Sequence, residues 1–84
     1  MIEGEIEITS KYGLRAKSAE SFVEAASSFT SEIEVLKDGQ LANAKSIISV
    51  LNLDARQGDR IVIRAEGPDE ETAFARLSGF LREE

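Results

Sequence analysis

The chain has 84 residues, 42% of them hydrophobic, and a net charge of −6 at pH 7, which bounds it to one small domain, residues 1–84, with one modest core. It contains neither cysteine nor histidine, so disulfides, thiolate chemistry and imidazole chemistry are excluded, and a metal site would rest on carboxylates alone, which suit only hard ions. The acidity disfavours a nucleic-acid partner. With no apolar run long enough for a membrane span and no signal-peptide pattern, a cytoplasmic protein without cofactor is expected.

Ile2, Ile6 and Ile8 alternate with Glu3, Glu5 and Glu7, the period of a strand with one wet face. Gly13 and its polar neighbours end it. From Ala19 the period becomes helical, with Ala19, Phe22, Val23, Ala26 and Phe29 on one stripe. Ser18 is a candidate cap for this helix, with Ala16 a candidate for its first turn. Ser27, Ser28, Thr30 and Ser31 read as a solvated boundary at its end.

Ile33 and Val35 alternate with Glu32 and Glu34. Asp38-Gly39 then signals a two-residue hairpin turn, and a short return strand runs over 40–43. Ser46 to Leu53 reads as a short apolar helix with Ser46 at its N-cap. Gln57-Gly58-Asp59 is a turn, and Ile61 and Ile63 belong to a fourth strand ending at Glu66-Gly67. Asp69 is the expected N-cap of a last helix whose apolar stripe is Ala73, Phe74, Leu77, Phe80 and Leu81. Gly79 weakens that helix by about 1 kcal/mol relative to alanine.

The order strand, helix, strand, strand, helix, strand, helix matches a split βαβ plan with one added helix. It predicts an α+β fold: an antiparallel four-stranded sheet, three helices on one face, and the glutamates on the other face in water.

Two segments carry a resemblance. Tyr12-Gly13-Leu14-Arg15-Ala16-Lys17-Ser18-Ala19-Glu20-Ser21-Phe22 and Ala44-Lys45-Ser46-Ile47-Ile48-Ser49-Val50-Leu51-Asn52-Leu53 resemble the HPr family, the histidine phosphocarriers of the bacterial sugar phosphotransferase system. The resemblance covers essentially the whole chain and implies the open-faced β-sandwich of that family. It also implies that Arg15 stands where the family keeps its carrier histidine. The arginine and proline that usually follow are here Lys17 and Ser18. A guanidinium stays protonated and has no free lone pair, so it is no phosphoryl acceptor. Lys17 keeps the charge without the forked geometry, and Ser18 lacks the fixed φ of proline. Within the family the chain resembles the Crh group, which lacks the histidine but has glutamine there.

Ser46 falls where the family carries a regulatory serine. A phosphate at a helix N-cap meets free N–H groups, and Lys45 beside it adds attraction; the same position is equally read as an ordinary capping serine. The resemblance further implies a partner-docking patch at Ile47, Ile48 and Leu51 with the surface around Arg15 and Glu20. Arg15, Lys17 and Lys45 are the candidate contacts to an anion or partner. The implied partners are a transcriptional regulator, a serine kinase or a phosphotransferase-system enzyme, with the chain a monomer or weak dimer. The acid pairs Glu70-Glu71 and Glu83-Glu84 meet no base or metal ligand, so no catalytic residue is assigned and the chain is expected not to be an enzyme. Two other functions stay open: an anion or sugar-phosphate sensing domain, and a self-associating domain without phosphate dependence.

Overall fold

The computed structural model describes residues 1–82; the Glu83-Glu84 pair lies outside them. The elements are β1 (Ile2–Glu7), α1 (Lys17–Ser27), β2 (Glu32–Lys37), β3 (Gln40–Asn43), α2 (Ile47–Asn52), β4 (Arg60–Glu66) and α3 (Glu70–Leu81). The four strands form one antiparallel sheet in the order β1-β4-β2-β3. The three helices cover one face and the other is open to solvent. This is the α+β layout expected from the element order and the open-faced β-sandwich that the resemblance implies.

The period-two pattern decides which side chains enter the core. Ile6, Ile8, Ile33, Val35, Ile61, Ile63 and Ala65 point to the helices, which return Phe22, Ala26, Val50, Leu77 and Leu81. Phe22 is fully buried and its ring meets that of Phe80 edge-on, at 5.7 Å between centroids. Burying one such side chain stabilises the fold by roughly 1.5–3 kcal/mol. The hairpin turn is as expected: Asp38 and Gly39 have φ of 49° and 81°, the positive pair of a type I′ turn.

On the open face the glutamates do not stand alone. Arg64 pairs with Glu3 at 2.9 Å and with Glu34 at 3.7 Å; Arg60 pairs with Glu5 at 3.3 Å and with Glu7 at 3.9 Å. Arg64 thus stands between acids of both neighbouring strands, and Arg60 between two acids of β1.

Three local features depart from the sequence reading. Helix α1 starts at Lys17 with Ala16 at its N-cap and no side-chain cap, so Ser18 lies inside the first turn and caps nothing. Asp69 occupies the N-cap position of α3, but its carboxylate turns to the chain after α1. Consequently Ser31 is buried rather than a solvated boundary residue. Gly4, on the core side of β1, admits the ring of Phe74: a Cβ there would lie 2.7 Å from the ring tip.

Candidate functional site

The loop between β1 and α1 is held from several sides. The N–H groups of Thr9 and Ser10 both bond to the carbonyl of Leu81, and that of Leu14 bonds to Ala55 at 2.9 Å. Leu14 is fully buried. Gly13 takes φ of 60° and lies so close to Ala55 and Arg56 that a side chain would meet backbone at 2.6 Å. Ala16, with φ of 49° and ψ of −121°, is in a region that L-residues rarely adopt, and such strain persists only where the surroundings impose it.

The pinned loop presents Arg15 to solvent. Its side chain stands between two open depressions. One, of about 400 Å³, is lined by Tyr12, Arg15, Lys17, Ser18, Ser21 and Phe80. The other, of about 410 Å³, is lined by Lys11, Tyr12, Arg15, Leu51 and Asp54. Neither Arg15 nor Lys17 enters an ion pair among the described residues. Asp54 is engaged by Arg56 at 3.0 Å. That hydrogen bond, chiefly, and then the charges of Arg56, Arg15 and Lys37 hold its carboxyl below the usual value.

Helix α2 forms the opposite wall. Ser46 is its N-cap and its Oγ accepts from the Ser49 N–H at 3.5 Å, a long contact. The helix turns Val50 and the following Leu53 into the core and leaves Ile48 and Leu51 69% and 42% exposed. Ile47 is half-buried against the core. The six-residue helix therefore divides its apolar residues between core and surface, as its shortness requires. Ile48, Leu51 and Tyr12 are among the exposed large hydrophobic side chains, and Glu20 is exposed on α1.

Two lysines serve helix ends. Lys45 Nζ donates to the carbonyl of Phe29 at 2.7 Å, just beyond α1. Lys37 Nζ donates to the carbonyls of Leu53 and Asp54, each at 3.0 Å, closing the end of α2. Cations suit these C-terminal carbonyls. The Lys45 ammonium is thus already engaged, whereas among the described residues the Arg15 guanidinium and the Lys17 ammonium enter no ion pair. Tyr12, Phe80 and Asp54 line the two depressions without being site candidates from sequence, where Asp54 reads as flanking a turn and Phe80 as part of an apolar stripe. Only Tyr12 left a signal there, as an aromatic residue among loop polars.

A family model described as the PTS HPr component phosphorylation site matches residues 2–83. The chain belongs to the HPr family. It is 42% identical to the HPr-like protein Crh of Halalkalibacterium halodurans, over the whole of both chains. Its fold superposes on the phosphocarrier protein HPr of Bacillus anthracis with a TM-score of 0.94, at 35% identity and 95% coverage of each chain. With the crystal structure of Crh from Bacillus subtilis, described as a swapped-domain dimer, the TM-score is 0.77 at 35% identity, over 98% of this chain and 94% of that one. These HPr-family relatives are phosphocarrier and HPr-like proteins rather than enzymes. Among the described residues no helix is long and apolar enough to cross a membrane.

Proposed function

We propose that this chain is a cytoplasmic regulatory or adaptor member of the HPr family that does not carry phosphate on a histidine and is switched by phosphorylation of Ser46. The observation that carries the reading is Arg15, exposed at the tip of the pinned loop in a chain without histidine. The loop keeps its form while the side chain it presents is a permanent cation with donors only. What remains is recognition: Ile48 and Leu51, with Ile47 behind them, give an apolar patch, and Arg15, Lys17 and Glu20 give its charged surround.

Ser46 is half-buried beside that patch, and among the described residues its hydroxyl makes a single long bond. A phosphate there would add up to two negative charges next to Ile47 and Ile48. It would also compete with the Phe29 carbonyl for the Lys45 ammonium. The partner is a phosphotransferase-system enzyme, a serine kinase or a transcriptional regulator.

The test is incubation with Enzyme I and phosphoenolpyruvate, and separately with an HPr serine kinase, followed by intact mass and peptide mapping. One phosphate, on Ser46 and from the serine kinase only, is the expected result. Acid-labile phosphate from Enzyme I would sink the reading.

A second reading, anion or sugar-phosphate sensing, draws on the two unpaired cations that line one depression. A saturable shift of the amides of residues 14–18 with phosphate or a sugar phosphate, without any effect of Ser46→Asp on partners, would favour it.

A further inference from the structure

The open face carries a row of side chains that the docking patch does not use. The register sets Val62 beside Leu36 and Leu36 beside Leu41. Each is out of phase with the core residues of its own strand, so the three form one apolar row on the solvent side. Glu5 stands at one end of the row. Leu41, 51% exposed, stands at the other, on the edge strand β3.

Backbone groups of an edge strand alternate between its one neighbour and solvent. The N–H of Ala44 bonds to the carbonyl of Ile33 at 3.0 Å, which sets the phase. Gln40, Ala42 and Ala44 turn their backbone groups to β2; Leu41 and Asn43 turn theirs to the free edge. All four residues of β3 are uncharged, and none is proline. The opposite edge, β1, carries Glu3, Glu5 and Glu7, charges of the kind that keep edges from pairing.

We propose that β3 is a self-pairing edge and that two copies of the chain join antiparallel about a two-fold axis at Leu41. This axis lets each Leu41 donate its N–H to the other Leu41 carbonyl. It also sets the outward N–H of Asn43 against the carbonyl of Gly39 in the second copy. Both open faces then lie on one side, and the two apolar rows become one continuous row through the paired leucines. The glutamates of β1 stay at the outer ends, and Glu34, nearer the axis, is already paired with Arg64. The contact is self-complementary, as a two-fold interface requires. It is short, so the dimer is weak, with a buried area below the roughly 1,200–2,000 Å² of standard interfaces.

The test is sedimentation velocity and amide hydrogen exchange on the full chain over a concentration series, with Leu41→Lys alongside. The expected result is a dimer that grows with concentration while the amides of Leu41 and Asn43 slow. Leu41→Lys should raise its dissociation constant at least about tenfold. Leu41 is exposed, so the variant should fold, which circular dichroism checks; Leu41→Thr gives the same reading should it not. A chain that stays monomeric throughout overturns the proposal. So does a dimer whose Leu41 and Asn43 amides exchange as in the monomer, as one built by strand exchange would.

Discussion

The carboxylate of Asp69 accepts both the backbone N–H and the hydroxyl of Ser31, 38 positions earlier in the chain. It takes the N–H and hydroxyl of Thr30 as well, at 3.0 and 3.1 Å. One side chain at the start of α3 thereby fixes the turn that leads out of α1 into β2. Gly67 lies close enough to Ser31 that a side chain there would collide with it.

These donors, the Ser31 hydroxyl foremost, hold the Asp69 carboxyl far below its ordinary value of 3.8. The group is depressed in the folded state, so its contribution is complete above the unfolded value and is lost as pH falls below that value towards the folded one. Urea denaturation from neutral pH down to about pH 2 should show this loss, and Asp69→Asn should be less stable at neutral pH with a flatter acid limb. Equal acid slopes in the two proteins would show that Asp69 does not carry the effect.

Gly4→Ala should destabilise by about 1–3 kcal/mol, because its methyl would enter the space of the Phe74 ring. Phe74→Leu in the same chain should recover part of that loss. The coupling in a double-mutant cycle is the quantity to measure; simple additivity would refute the contact.

Within α2, burial separates two neighbouring roles. Val50→Ala, in the core, should cost at least about 1 kcal/mol. Ile48→Asp, at a 69% exposed position, should change stability by less than about 0.5 kcal/mol while weakening the partner complex. Chemical denaturation and partner titration of the two variants make the comparison, and intact partner binding by Ile48→Asp would remove that residue from the docking surface.

Arg15→His tests whether the carrier atom alone is missing. Enzyme I and phosphoenolpyruvate should leave the native chain unmodified and place an acid-labile phosphate on the variant. Adding Lys17→Arg and Ser18→Pro should speed the reaction, because the fork of arginine and the φ of proline return together. A triple variant that stays unmodified would place the deficit in the docking surface instead.

The order of elements was legible because each has a clean period. Three glutamates alternating with isoleucines admit only a half-wet strand, and Asp38-Gly39 admits little but a tight turn. The division of α2 into core and exposed residues was legible in outline, since a six-residue helix cannot hide Ile47, Ile48, Val50 and Leu51 all at once. The unreadable parts are non-local. Asp69 looked like a cap because capping is a local habit of aspartate; its actual partners lie 38 and 39 positions away. Lys45 looked like a charge beside Ser46, but the carbonyl of Phe29 reaches it across the fold. The positive φ of Ala16 has no sequence signal, because alanine gives no hint of it and the loop contacts impose it.

The guanidinium at position 15 has one more consequence. An imidazole there would gain or lose a proton as the medium moved through slightly acid conditions, and a partner would feel the difference. With arginine in its place and no histidine elsewhere, no imidazole changes charge at the loop over that range. Such a surface registers neither a passing acid stress nor recovery from it. On the proposed function, what this surface offers a partner would change through covalent modification or a competitor rather than through acidity.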